Sequence, residues 1–299
     1  MAAPAGRTWH REYIPRVDPD TGARYMQLTS APMIHETLQP GPAMFTPDSR
    51  RVVYSRRQAL DMPRELWIAD LATLDLRRLT DEAIVKAPAV APDGLALYYI
   101  VEEPMVSLVR LDLESFEREV WITTDLITET QDVGTIRHDG RAYVAGGTVG
   151  PGTWALVRFD LQARTAQTFH ESDAVWSAQP QYSPAECGDV LFRENHGGLF
   201  DEYGRPLVLS SGYGADLHVI RDDGSDLRDV NVGRTDTEML QGSHCWAGDS
   251  GRVAVPLLWR DTPDRAFAPD RIVTITPGGH NRDTIGHGPA FAHTAITAD

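Results

Sequence analysis

The chain almost lacks lysine. Lys86 stands alone, and the other 27 of its 28 basic residues are arginine. Against them stand 43 acidic residues, for a net charge of −15, and no basic run exceeds Arg50–Arg51 or Arg56–Arg57. Nucleic acids and anionic membranes need a basic footprint, so neither is expected as a partner. Cysteine is nearly missing too. Cys187 and Cys245 lie far apart, in no metal-like spacing, and exclude a disulfide framework while leaving room for one bond. Residues 1–16 hold no apolar core of a signal peptide, and no apolar run approaches the ~18 residues of a spanning helix. A soluble, cytoplasmic protein is the expectation. Nucleophile motifs are absent as well: no Gly-x-Ser-x-Gly elbow, no phosphate loop and no paired His-Glu helix motif. Ser210 and Ser211 precede Gly212 but lack the first glycine. A sustained 3.6-residue apolar period is nowhere found, which argues against helices.

What is present is a repeat. The chain has 299 residues, 41% of them hydrophobic, enough for a sizeable core. Short Asp/Gly turns recur at Asp48, Asp93, Asp139, Ala185, Asp249 and Asp299, in steps of 45, 46, 46, 64 and 50 residues. A β-rich run follows each turn, such as Arg51–Ser55, Ala96–Val101 and Ala142–Ala145. A further strand then ends on an acidic residue, as at Asp70, Asp112 and Asp160. A period near 46 fits the four-stranded blade of an all-β propeller better than an open sandwich. One propeller domain over residues 1–299 is expected. Its blades fall at about 30–80, 81–125, 126–170, 171–232 and 233–285, with a partial one at 286–299.

Asp18–Thr29 resembles Asp70–Thr80, the turn and outer strand of the first blade. Residues 18–29 are therefore expected to give a lone outer strand that closes the ring against the last blade. The long fourth interval adds glycine-rich, polar material between Arg193 and Ala215, a candidate lip over the binding face.

In such a fold the innermost strands of different blades converge on one axis. Gln179, His244 and His293 each fall just before a repeat turn, and His35 somewhat earlier in its unit. Neutral imidazole with amide or carboxylate oxygen suits a borderline divalent metal, so His244, His293 and His35 are candidate ligands. A hydrogen-bonded structural role is the alternative for each. Trp176 and Trp246 flank the axis and could stack on sugar rings or simply pack between blades. His196, in the lip, is a further candidate contact for substrate. His10, His138, His170, His218, His280 and His287 read as surface or turn residues.

The segments quoted so far resemble a known family, the oligogalacturonate lyases of pectin breakdown. The likeness lies in Asp18, Thr21, Gly22, Leu28 and Thr29, then Phe45-Thr46-Pro47-Asp48. It continues in Gln179–Pro184, Asp222–Asp226, Gly242–Trp246 and Ala292–Asp299. The turn motifs are shared with Tol-associated propellers, so the specific part is where the histidines fall. The resemblance implies a seven-bladed propeller whose closing blade is incomplete here, and Mn2+ held by three histidines and a glutamine. It implies β-elimination of short acidic oligosaccharides. A metal grips the uronate carboxylate, a base takes the neighbouring proton, and the glycosidic oxygen departs. His244 resembles a ligand histidine. Gln179 stands where the family has a histidine, at a catalytic position, but an amide cannot act as a base. Arg158 and Arg193 are the candidates to reverse the negative field near an anionic sugar. The alternatives are a non-catalytic Tol-type propeller that binds a protein or sugar, and a lyase relative that acts on another sugar acid.

Overall fold

The computed structural model describes residues 9–38, 44–59, 62–82, 84–185, 188–201, 206–208, 214–233, 238–240, 242–259 and 271–288. All its regular elements are strands, most of them in five antiparallel blades, and among the described residues no helix is long and apolar enough to cross a membrane. From inner to outer edge, blade 1 is Ile34–Glu36, Arg51–Arg57, Glu65–Asp70 and Asp75–Arg78. Blade 2 is Lys86–Val90, Ala96–Val101, Ser107–Asp112 and Arg118–Thr123. Blade 3 is Glu129–Ile136, Ala142–Gly150, Thr153–Asp160 and Thr165–Ser172. Blade 4 is Gln181–Tyr182, Asp189–Asn195, Ala215–Arg221 and Arg228–Val230. Blade 5 opens with two short pieces, Glu238–Leu240 and Cys245–Trp246, both paired to Val253–Trp259, and continues with Arg271–Ile275 and Arg282–His287. The first strand of blade 3 adjoins those of blades 2 and 4, which places the inner edges together.

The aspartate turns explain the repeat. Asp48, Asp93 and Asp139 each accept the backbone N–H two residues on, at 3.0, 2.9 and 2.9 Å. Asp70, Asp112 and Asp160 do the same where the third strand turns into the fourth. A carboxylate that captures its own downstream backbone fixes a tight hairpin and exposes little apolar surface. Between turns, alternate residues point to opposite faces, and four apolar clusters fill the four gaps between neighbouring blades. Leu66, Ile68 and Tyr99 bridge blades 1 and 2; Leu191, Leu217 and Val255 bridge blades 4 and 5.

Two expectations are corrected. The resemblance implied seven blades, and the described residues form five. Residues 24–29 do not form a lone closing strand. Arg24–Gln27 pairs with Ile14–Val17 in a two-stranded ribbon, while Trp9–Arg11 joins the outer edge of blade 1 beside Asp75–Arg78. The preceding segment supplied the missing partner.

The same N-terminal stretch covers the face of blade 1 that turns away from blade 2. Leu28 packs on a cluster of Tyr54, Trp67, Ala69 and Leu76. Glu12 grips Arg56 through both guanidinium nitrogens, at 2.9 and 2.8 Å, and Arg56 lies over the Trp67 ring at 4.2 Å. Ser30 and Ala31 donate their backbone N–H groups to the same carboxylate at 3.0 Å.

Candidate axial site

Side chains from one inner edge bind the backbone of the next. Gln131 of blade 3 donates to the Val175 carbonyl and accepts from Ala178 N–H, both at 2.8 Å. Gln181 of blade 4 donates to the His244 carbonyl at 2.7 Å, and Trp246 of blade 5 donates back to the Gln181 carbonyl at 3.1 Å. Sequence reasoning missed Gln131 and Gln181 as seam residues. Their signal was a glutamine in or at the start of the first strand of a blade.

Within this seam the structure brings together Gln179, Arg193 and His244. His244 is wholly buried, and its Nε2 lies 3.2 Å from the Gln179 carbonyl. A carbonyl accepts only, so Nε2 carries the proton and Nδ1 keeps a lone pair. That Nδ1 has no hydrogen-bond partner among the described residues. Burial lowers the imidazole pKa to about 3, the Arg193 cation adds to the effect, and the Gln179 carbonyl opposes it. His244 therefore stays neutral at ordinary pH.

Arg193 sits on the second strand of blade 4 and donates one terminal N–H to the Gly242 carbonyl, across the gap to blade 5. Its Nε is buried without a partner, and burial lowers its pKa to about 10. Gln179 has a φ of +50°, in the left-handed region, and its side-chain Oε1 is buried without a partner. Strain of this kind persists where the surroundings hold it and concentrates at functional positions.

The other candidates lie elsewhere. Arg158 is on the third strand of blade 3, where its side chain bonds Asp222 and Asp160, each at 3.2 Å. Asp222 also takes Arg137 and Tyr182, so this is an inter-blade ionic knot. Trp176 is buried, donates to the Asn195 carbonyl, and packs on Trp154 and Phe200. Trp246 is equally buried. His35 lies in blade 1 against Tyr54, and burial with the nearby Arg56 lowers its pKa. His196 pairs with Asp216 at 3.0 Å. His293 lies outside the described residues. His170 and His218 are not surface residues: both rings flank Phe192, and both approach the Glu194 carboxylate, at 3.2 and 3.6 Å.

Whether these residues suit manganese is a matter of donors. His244 Nδ1 and Gln179 Oε1 are two free donors, and no third imidazole or carboxylate joins them among the described residues. No group of three or more His, Cys, Asp or Glu among those residues could hold a metal ion. The charge that His244 feels is the Arg193 cation, which repels another cation. The described set does not fit a divalent metal.

No protein-family model matches the chain, and no curated protein does. Solved structures do. An oligogalacturonate lyase in complex with manganese superposes with a TM-score of 0.72 at 20% identity, over 97% of this chain and 76% of that one. An oligogalacturonate lyase from Vibrio parahaemolyticus gives 0.67 at 19%, over the same shares. A putative TolB from Agrobacterium tumefaciens gives 0.55 at 14%, over 95% of this chain and 92% of that one. At these identities the likeness establishes the propeller fold.

Proposed function

We propose that the protein binds short uronate oligosaccharides at the inner edges of blades 4 and 5 and cleaves them by β-elimination. The observation that carries this reading is the meeting of Arg193, His244 and Gln179, each with a buried polar atom left unpaired. Unpaired buried polar groups are costly, and a ligand that satisfies them recovers that cost. The overall likeness to oligogalacturonate lyases supports the choice of ligand.

The reaction moves a proton from the ring carbon beside the carboxylate, by way of solvent, to the departing glycosidic oxygen, and the electrons of the broken C–H bond become the new ring double bond. Negative charge grows on the carboxylate as the proton leaves. A guanidinium already in place there lowers the barrier without reorganising. Gln179 has no basic atom, and the His244 ring resists protonation, so neither is the base. The described residues bind and polarise the substrate.

An absorbance assay tests the proposal. The elimination product carries a double bond conjugated to its carboxylate and absorbs in the ultraviolet. Digalacturonate is given to the protein with and without added Mn2+. The expected result is a rise that Arg193→Gln cuts by about 100-fold, as for loss of a preorganised charged donor. No rise under either condition would sink the lyase reading.

A second reading is a Tol-type propeller that binds without catalysis. The complete burial of His244, with Trp176 and Trp246 nearly as buried, favours it. Digalacturonate binding without turnover would be its signature.

A further inference from the structure

Arginine is common in this protein, and several guanidinium groups that leave full solvent meet a carboxylate. Buried Arg56 meets Glu12, and the half-buried Arg137 and Arg158 share Asp222 while Arg228 meets Asp189. Arg193 breaks this pattern. It is packed closely enough for burial to lower its pKa, yet it forms no ion pair with any described carboxylate. Among the described residues its guanidinium bonds one backbone carbonyl, and its Nε–H points at no acceptor. An uncompensated buried charge is among the most destabilising features a fold can carry. In a chain of net charge −15, acidic side chains are plentiful, and no described one is spent here.

The neighbours complete the picture. His244 is neutral and presents its Nδ1 lone pair, and Gln179 presents its Oε1; both accept, so they suit the hydroxyls of a sugar acid and leave Arg193 as the donor to its carboxylate. No anion of the protein's own occupies the spot among the described residues. We infer that Arg193 is the direct seat of a ligand carboxylate, and that the axial site is selective for anions and needs no metal. The inference rests on the uronate reading for the identity of the sugar but not for the charge of the ligand. It departs from what the lyase resemblance implies, where manganese grips the carboxylate.

The test is binding in the presence of EDTA, followed by calorimetry and by thermal melting, at constant ionic strength. The probes are galacturonate, acetate and galactose. Galacturonate and acetate are expected to bind and raise the melting temperature, and galactose to do neither. Arg193→Gln should weaken both anions by at least about tenfold, the lower range for a charge-assisted bond. Its ligand-free melting temperature should hold or rise, because the variant removes an unpaired charge; a purely structural arginine would lower it. Arg193→Lys keeps the charge and should retain part of the affinity, which controls for a folding defect in the glutamine variant. Acetate binding without galacturonate binding would uphold the anion seat and sink the uronate reading. Three results would overturn the inference: anions that bind Arg193→Gln as tightly as the parent, galactose that binds like galacturonate, or galacturonate binding abolished by EDTA. Electron paramagnetic resonance gives an independent check. The spectrum of free aqueous Mn2+ should be unchanged by the protein, and immobilised Mn2+ that is released by His244→Ala would refute the claim.

Discussion

Glu12 and Arg56 lie 44 residues apart in sequence and meet at one bidentate contact. Removing the carboxylate with Glu12→Gln leaves a buried guanidinium uncompensated. The expected cost is about 3–5 kcal/mol, read from urea denaturation. Burial by itself would raise the Glu12 pKa, but the bonds from Arg56, Ser30 and Ala31 outweigh it and hold it below the ordinary carboxylate range. A depressed carboxylate stabilises the fold above its unfolded value, and this contribution fades as the pH falls through the lower folded value. The loss should therefore appear below about pH 4. His244 works through the opposite chemistry with the same sign. The unfolded imidazole takes a proton near pH 6.5 and the folded one near 3, so stability drains away as the pH falls from about 6.5. The Cε1–H resonance of His244 should stay flat between pH 5 and 8, and a midpoint inside that window would contradict its burial. At this scale the sequence was readable where position within the repeat decides exposure. Gln179 and His244 stand at corresponding places before the inner strands, and they meet. It was unreadable where a partner decides: Arg158 looked like a free cation until Asp222, 64 residues away, was seen to hold it.

Strands and turns were legible because each is set by a few consecutive residues. An aspartate that captures the next N–H groups writes its hairpin locally, whatever lies elsewhere in the chain. The pairing of Arg24–Gln27 with Ile14–Val17 was not legible, because two edges competed for the same strand and a ten-residue pattern does not say which wins. The lip is another element that sequence located but did not describe. Its described part is a short ribbon, Leu199–Phe200 with Pro206–Val208, held to the body by Phe200 against Trp154 and Trp176 at ring distances of 5.4 and 4.9 Å. Phe200→Ala should release this ribbon. Hydrogen exchange at Leu199, Phe200, Leu207 and Val208 is expected to quicken, while global stability falls by about 1–1.5 kcal/mol, near the value of a lost aromatic pair. Gly134 is the stricter case. A Cβ there would lie 2.4 Å from the Ala87 carbonyl oxygen and 2.2 Å from the Tyr143 hydroxyl. Backbone cannot swing aside as a side chain can. Gly134→Ala should therefore push blades 2 and 3 apart and cost several kcal/mol, as overpacking in a tight core does, measurable by chemical denaturation.

For the whole molecule, the period of the repeat reported the blade and not the closure. Ring closure depends on which surfaces meet at the ends, and no turn motif encodes that. In this chain the ribbon and Glu12 lie over the outward face of blade 1. Deleting residues 1–31 should expose Tyr54 and Trp67, raise the binding of a hydrophobic dye and lower the melting temperature by several degrees. An unchanged melting curve would show that this cover is ornamental. The seam at the centre has a different consequence. Gln131, Gln181 and Trp246 all reach across to peptide carbonyls, and Gln131 takes a peptide N–H as well. Every residue offers those groups, whatever its side chain. A blade can thus change nearly all its letters and still be recognised by its neighbour, so long as one amide or indole is kept in place. Likeness in shape with little likeness in spelling is what such a joint allows, and it leaves the side chains of the axis freer to change than the architecture around them.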